Sequence, residues 1–153
     1  MLAVLLLAGC TKHHLTITSS AFRDRDDIPA QYGCKGGGAK PPLAVSGVTP
    51  AAKSLVLIVD DPDAPGGTFT HWIVWNIPPS STALTGGVEG RNSAGSTGYT
   101  PPCPPAGEHH YHYKVLALDT TLSLPAGSDR DALMRALEGH VLGRGELVGR
   151  YRH

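Results

Sequence analysis

An acidic, proline-bound corner between two apolar runs constrains this chain more than any other feature. The first run is Leu55-Val56-Leu57-Ile58-Val59, and the corner reads Asp60-Asp61-Pro62-Asp63-Ala64-Pro65. A Gly66-Gly67 turn leads to the second run, His71-Trp72-Ile73-Val74-Trp75-Asn76-Ile77, closed by Pro78-Pro79. Each run is too short for an independent helix and is rich in β-branched or aromatic residues, so both are read as strands. Neither alternates cleanly between apolar and polar residues, which predicts strands covered on both faces. Pro62 and Pro65 fix φ and lack a backbone donor, so the corner is excluded from a central ladder. A stiff loop holding carboxylates at the end of buried strands is a place to build a site.

A chain of 153 residues is long enough for one domain with a real core and short for two. Charged residues are 17% and the formal net charge is +0. With no block of like charges, this argues against a nucleic-acid partner. Gly 19 and Pro 13 favour many turns and short strands over helices. Histidine is frequent for this length, and residues 71, 109, 110, 112 and 140 fall in the region read as folded.

Residues 1–10, MLAVLLLAGC, are apolar and end in Leu7-Ala8-Gly9-Cys10. They resemble the lipobox of a bacterial lipoprotein signal, in which Cys10 is lipidated, although no Lys or Arg precedes the run. The alternative is a buried strand. As a helix the run is too short to span a bilayer. On the lipobox reading, residues 11–153 are the domain, anchored on the periplasmic side of a bacterial cell envelope. If the segment is not a signal, the chain is cytoplasmic.

Strands are also expected at 15–18, 43–48, from Tyr111 to Asp119 and at 146–151. The third places Tyr111, Tyr113, Val115 and Ala117 on one face and His112, Lys114, Leu116 and Leu118 on the other. Residues 22–42 and 80–98 are read as loops. One helix is expected, with Ser128 as N-cap opposite Asp131, an apolar stripe of Leu133, Met134, Leu137 and Val141, and Gly139 able to end it.

Two stiff loops each lead into a strand that opens on histidine: the corner before His71, and Pro104-Pro105 before His109. If those strands are neighbours, carboxylate and imidazoles share one cavity. A protonated imidazole there would hold an anion. The plain alternative is aspartates that cap turns and histidines that fill a sheet edge. A metal site at His109-His110-x-His112 is disfavoured, because only His110 and His112 share a face. A hydrolase using Asp61, His71 and His109 is a second possibility, although Ser54, Ser80, Ser81, Ser93 and Ser96 sit in no nucleophile elbow. Cys34 and Cys103 are candidate nucleophiles, inert thiols or a disulfide. With Cys10 lipidated in an oxidising compartment they are the pair left to bridge.

The strings DDPDAP, THWIVWNIP and GYTPPCPPAGEHHYHYKVLALD, in this order, resemble the phosphatidylethanolamine-binding protein family, in its bacterial Raf kinase inhibitor-like branch. IPAQYGCKGGG with PPL, and ALEGHVLGRGELVGRY, are weaker echoes. The resemblance implies an all-β fold, an antiparallel β-sandwich with few peripheral helices. It also implies a small anion pocket built from Asp61, Pro65, His71, His109 and Tyr111, with Cys103 and Pro105 as its wall. Phosphate-type head groups or small anions would bind there without a cofactor or metal, and the protein would act as a binder or a regulator of a kinase or protease. Two positions depart from the family pattern: Lys40 stands where serine precedes PPL, and His110 where arginine follows the histidine.

Overall fold

The computed structural model describes residues 12–153. Lipidation of Cys10 and the signal reading of residues 1–10 lie outside those residues. The described chain forms β1 (His13–His14), β2 (Thr16–Thr18), a 3-10 turn (Ala30–Tyr32), β3 (Ala44–Ser46) and β4 (Ser54–Asp61). It continues with β5 (Phe69–Ile77), β6 (Val88–Glu89), β7 (Glu108–Leu118), α1 (Arg130–Leu137) and β8 (Val141–Arg152). A six-stranded sheet runs in the order β1-β8-β7-β4-β5-β6, and β2 and β3 pair separately.

The apolar runs without alternation become the sheet centre. All of β4 is buried, with Leu55, Leu57 and Val59 on one side and Val56 and Ile58 on the other. The first side packs under the β2–β3 ribbon through Leu15, Ile17 and Val45. The second side meets α1 through Leu133 and Leu137. Burying a leucine side chain contributes about 1.5–3 kcal/mol, so these two residues are the main anchors of a helix too short to stand alone. In β7 the expected alternation is present, and Tyr111, Tyr113, Val115 and Ala117 are fully buried.

The structure departs from the sequence expectation in three places. The fold is mostly β with one helix, but it is not two full antiparallel sheets. β1 runs parallel to β8, and the second layer is the two-stranded ribbon with its flanking loops. The helix is capped by Asp129, whose carboxylate accepts from the Ala132 N–H at 2.9 Å. Ser128 instead donates to the Pro125 carbonyl at 2.7 Å. Finally, the last strand begins at Val141, which leaves the helical stripe because Gly139 (φ 81°) turns the chain first. Glycines hid this strand. A Cβ at Gly145 would meet the Leu15 carbonyl, and one at Gly149 would meet Ile28 and Phe22, so backbone packs directly on β8 where side chains would signal a strand.

Candidate functional site

β4 lies between β5 and β7 and runs antiparallel to both. The two histidine-bearing strands are therefore not neighbours, so the condition under which the sequence brought their starts together is not met. They are parallel to each other, and both start at the end of β4 where Asp61 sits. Convergence comes from the strand between them.

Pairing along β4 and β5 slips by one residue at this end. Val59 lies opposite Trp72 and Asp60 opposite Thr70, which leaves His71 as the extra residue of a bulge. Bulges re-aim a side chain where a ladder alone would not. Thr100 secures the bulge twice: its N–H donates to the His71 carbonyl at 2.9 Å, and its carbonyl accepts from His71 Nδ1 at 2.8 Å. A carbonyl can only accept, so Nδ1 carries the proton and neutral His71 presents the lone pair of Nε2.

The pleat separates the aspartates of the corner. Asp61 Oδ2 accepts from His109 Nδ1 at 2.7 Å, and its Oδ1 accepts from the Asp63 N–H at 2.9 Å. Both oxygens are engaged, and the carboxylate fixes the tautomer of His109 as Thr100 fixes that of His71. Asp60 faces the opposite side of the sheet. There it takes Thr70 Oγ1 at 3.0 Å, Arg130 at 2.9 Å and Lys114 at 3.6 Å. Asp63 accepts from both the backbone N–H and Nδ1 of His110, and these hydrogen bonds hold its carboxyl below the usual range.

Tyr111 completes the group. It is fully buried, stands edge-on to His71 with ring centroids 5.1 Å apart, and its hydroxyl has no hydrogen-bond partner. Burial, reinforced by the charge of Asp61, raises its pKa and keeps it a neutral phenol. Burial likewise lowers the pKa of His71, outweighing the opposing pull of the Thr100 hydrogen bond and of Asp61 and Asp60.

Asp61, His71, His109 and Tyr111 line one cavity of about 290 Å³. Pro65, Pro101, Pro104 and Pro105 form much of its wall, with Cys103 between them. The structure thus brings all seven ligand-binding candidates to one place. Sequence reasoning missed Phe69, whose ring centroid lies 4.7 Å from that of His71, and Thr100. Phe69 was findable, two residues before His71. Thr100 acts through its backbone, which leaves no side-chain signal.

Cys34 and Cys103 are disulfide-bonded, Sγ–Sγ 2.05 Å, across a separation of 69 residues. With both sulfurs in that bond, neither is a nucleophile. The bridge ties the loop after the 3-10 turn to the cavity wall, where the Cys34 N–H also donates to the Pro102 carbonyl at 2.9 Å. None of the serines considered above lines the cavity.

The histidine cluster disperses over three carboxylates. His109 meets Asp61, His110 meets Asp63 at 2.7 Å, and His112 lies 3.2 Å from Glu146. Among the described residues no group of three or more His, Cys, Asp or Glu is arranged to hold a metal. Lys40 is held elsewhere: it pairs with Glu89 at 2.9 Å and lies over the Trp72 ring at 4.8 Å. A second cavity of about 290 Å³ contains Lys35, Arg150 and Arg152. It has fixed cations, but Arg150 is paired with Asp27 at 3.1 Å and Arg152 with Glu108 at 2.9 Å. Arg150 Nε is a buried donor without a partner in the second cavity as well, but only the first combines an unpartnered hydroxyl with two imidazoles whose Nδ1 atoms are held, and it is the better candidate.

Residues 18–152 match the family model described as phosphatidylethanolamine-binding protein. The UPF0098 protein PH1269 of Pyrococcus horikoshii is 52% identical over 147 residues, covering 87% of this chain and 74% of that protein. A phosphatidylethanolamine-binding protein homologue of Chlamydia trachomatis, CT736, superimposes with a TM-score of 0.87 at 41% identity, covering 92% of this chain and 98% of that one. E. coli YbcL, described as a member of the mammalian family, gives 0.83 at 30% identity over 94% and 99% of the two chains. With the family model spanning nearly the whole described chain, and relatives this similar, the protein belongs to the phosphatidylethanolamine-binding protein family.

Proposed function

We propose that this protein binds a small anionic or phosphorylated ligand in the cavity formed by Asp61, His71, His109 and Tyr111. The observation that carries this reading is the Tyr111 hydroxyl, a buried donor without a partner beside two oriented imidazoles. An unsatisfied buried hydroxyl costs about 1–3 kcal/mol, and a ligand oxygen removes that cost. The cavity of about 290 Å³ has room for a small phosphorylated group. Binding is favoured over hydrolysis, because no serine lines the cavity and Cys103 is bonded. Regulation of a partner kinase or protease would follow from occupancy of this site. Titration calorimetry with O-phosphoethanolamine tests the reading: saturable binding without turnover is expected, much weaker in His71→Gln and His109→Gln. Equal affinity in the variants would place the site elsewhere, and release of phosphate would favour the hydrolase.

We also propose that Cys10 anchors the chain in the cell envelope, on the strength of its Leu7-Ala8-Gly9-Cys10 sequence alone. Stable anchoring needs more than one acyl chain or a second membrane signal. Cys10→Ser should move the protein from the membrane to the soluble fraction. The same distribution for both forms would refute the anchor.

A further inference from the structure

A typical anion site supplies fixed donors: a guanidinium, an ammonium, or backbone N–H groups at a helix start or nest. This cavity lacks the first two, because no lysine or arginine lines it. Lys114 of β7 and Arg130 of α1 serve Asp60 on the other face of the sheet. Its wall is also poor in the third, because Pro65, Pro101, Pro104 and Pro105 have no N–H, which leaves those of Ala64 and Cys103. The Thr100 N–H is committed to the His71 carbonyl.

The imidazoles do not fill the gap while neutral. Nδ1 of His71 donates to a carbonyl and Nδ1 of His109 donates to a carboxylate, so both Nε2 atoms carry lone pairs. A fully ionised ligand would meet two acceptors, the Asp61 carboxylate behind them, and one side-chain donor, Tyr111. The lone pairs repel such a ligand unless a proton lies between nitrogen and oxygen.

We infer that the pocket takes its anion only together with a proton, and that phosphate or a phosphomonoester, able to bring that proton, is the ligand class it fits. Sulfate, or the phosphodiester of a lipid head group, carries no proton near neutrality and must wait for an imidazole to acquire one. This inference rests on the anion-pocket reading and adds the protonation state. The groups facing His71 are Asp61 from β4 and His109 and Tyr111 from β7, and the charge of Asp60 acts on it from the other side of the sheet. Those facing His109 are Asp61 and Asp63 from the corner, His71 from β5, and Tyr111 and Tyr151 from β7 and β8. The wall contributes no titrating thiol, and His153 behind it is held by the Pro104 carbonyl at 2.9 Å. The burial of His71 opposes its protonation, which strengthens the requirement.

The test is calorimetry on the intact chain with four probes: sulfate, inorganic phosphate, O-phosphoethanolamine and glycerophosphoethanolamine. Each is titrated near neutral pH in two buffers of different ionisation enthalpy, so that the heat difference counts protons. Sulfate should take up about one proton per anion bound, and its affinity should fall by up to about tenfold per pH unit above the histidine range. Glycerophosphoethanolamine, the lipid-derived diester, should behave like sulfate. Inorganic phosphate should lose several-fold less affinity than sulfate between about pH 6 and pH 7, because its monoanion persists there, and O-phosphoethanolamine should take up less than one proton below its second pKa of about 6. Sulfate binding with no proton uptake and a flat pH profile would overturn the inference while leaving the pocket reading standing. Silence from all four anions down to about pH 5, well below the histidine range, would overturn the pocket reading and this inference with it.

Discussion

Asp61→Asn is the substitution whose outcome is most closely dictated by the geometry. Asp61 accepts two hydrogen bonds, from the Asp63 N–H at 2.9 Å and from His109 Nδ1 at 2.7 Å. Asparagine has one oxygen and one NH₂. It satisfies both neighbours only if the oxygen takes the Asp63 N–H and the amide donates to His109 Nδ1. His109 must then carry its proton on Nε2, facing the cavity. Two hydrogen bonds to a charged acceptor, each contributing about 1.5–3 kcal/mol, become neutral ones of about 0.5–1.5 kcal/mol, for a net loss of about 2–3 kcal/mol. Urea denaturation should record that loss as a lower midpoint with unchanged slope. Imidazole ¹⁵N spectra should show His109 switching tautomer. Sulfate should bind more tightly near neutral pH with fewer protons taken up, because one nitrogen now donates without help. A less stable protein that binds anions better is an outcome that simple damage to the site does not produce. If His109 keeps its proton on Nδ1, and sulfate binding in the variant is as weak and as pH-dependent as in the parent, the reasoning is refuted.

Tyr111→Phe removes a hydroxyl that has no partner. The ligand-free protein should be more stable, by about 1–3 kcal/mol, while phosphate affinity falls; a loss of stability in urea denaturation would show that the hydroxyl is bonded after all. Reducing the Cys34–Cys103 bridge, which closes a separation of 69 residues, should cost about 4 kcal/mol in the chain-entropy account. Urea midpoints with and without reductant measure this, and coincident midpoints would contradict it. His71 has a folded-state pKa depressed below its ordinary value of 6.5, so the unfolded chain binds more protons as pH falls. Its contribution is therefore intact above that value and is lost as pH drops through it toward the lower folded-state pKa. Thermal unfolding across this window should show the loss in the parent and a shallower one in His71→Gln, and parallel curves would exclude the assignment.

The parts of the fold written in side-chain periodicity were legible. β4 and β5 announce themselves by unbroken apolar runs, and β7 by alternation that places Tyr111 and Tyr113 inward. β8 was mostly invisible, because Gly143, Gly145 and Gly149 carry no side chains to repeat and their meaning lies in the backbone resting on them. β1 and β6, of two residues each, are defined only by their partners. The capping residue was misplaced by one position because Ser128 and Asp129 are both good caps and only the turn at Pro125 chooses between them. At the site, residue types and stiff loops pointed to Asp61, His71 and His109, and the family resemblance pointed to the remaining wall. Neighbour order was beyond reach. The sequence cannot say that β4 separates β5 from β7, nor that a bulge turns His71 inward and the Thr100 backbone fixes its tautomer. These are long-range pairings, and they change the chemistry: histidines expected as donors become acceptors until a proton arrives.

The measurement that bears most directly on the account is a phosphate titration followed by the imidazole and phenol resonances of the intact chain. The account predicts that His71, His109 and Tyr111 shift together and saturate on one isotherm, while His13, His14 and His140, which do not line the cavity, stay in place. A saturating shift at Tyr151 in the other cavity with none at Tyr111, or drift without saturation at His71 and His109, would contradict it.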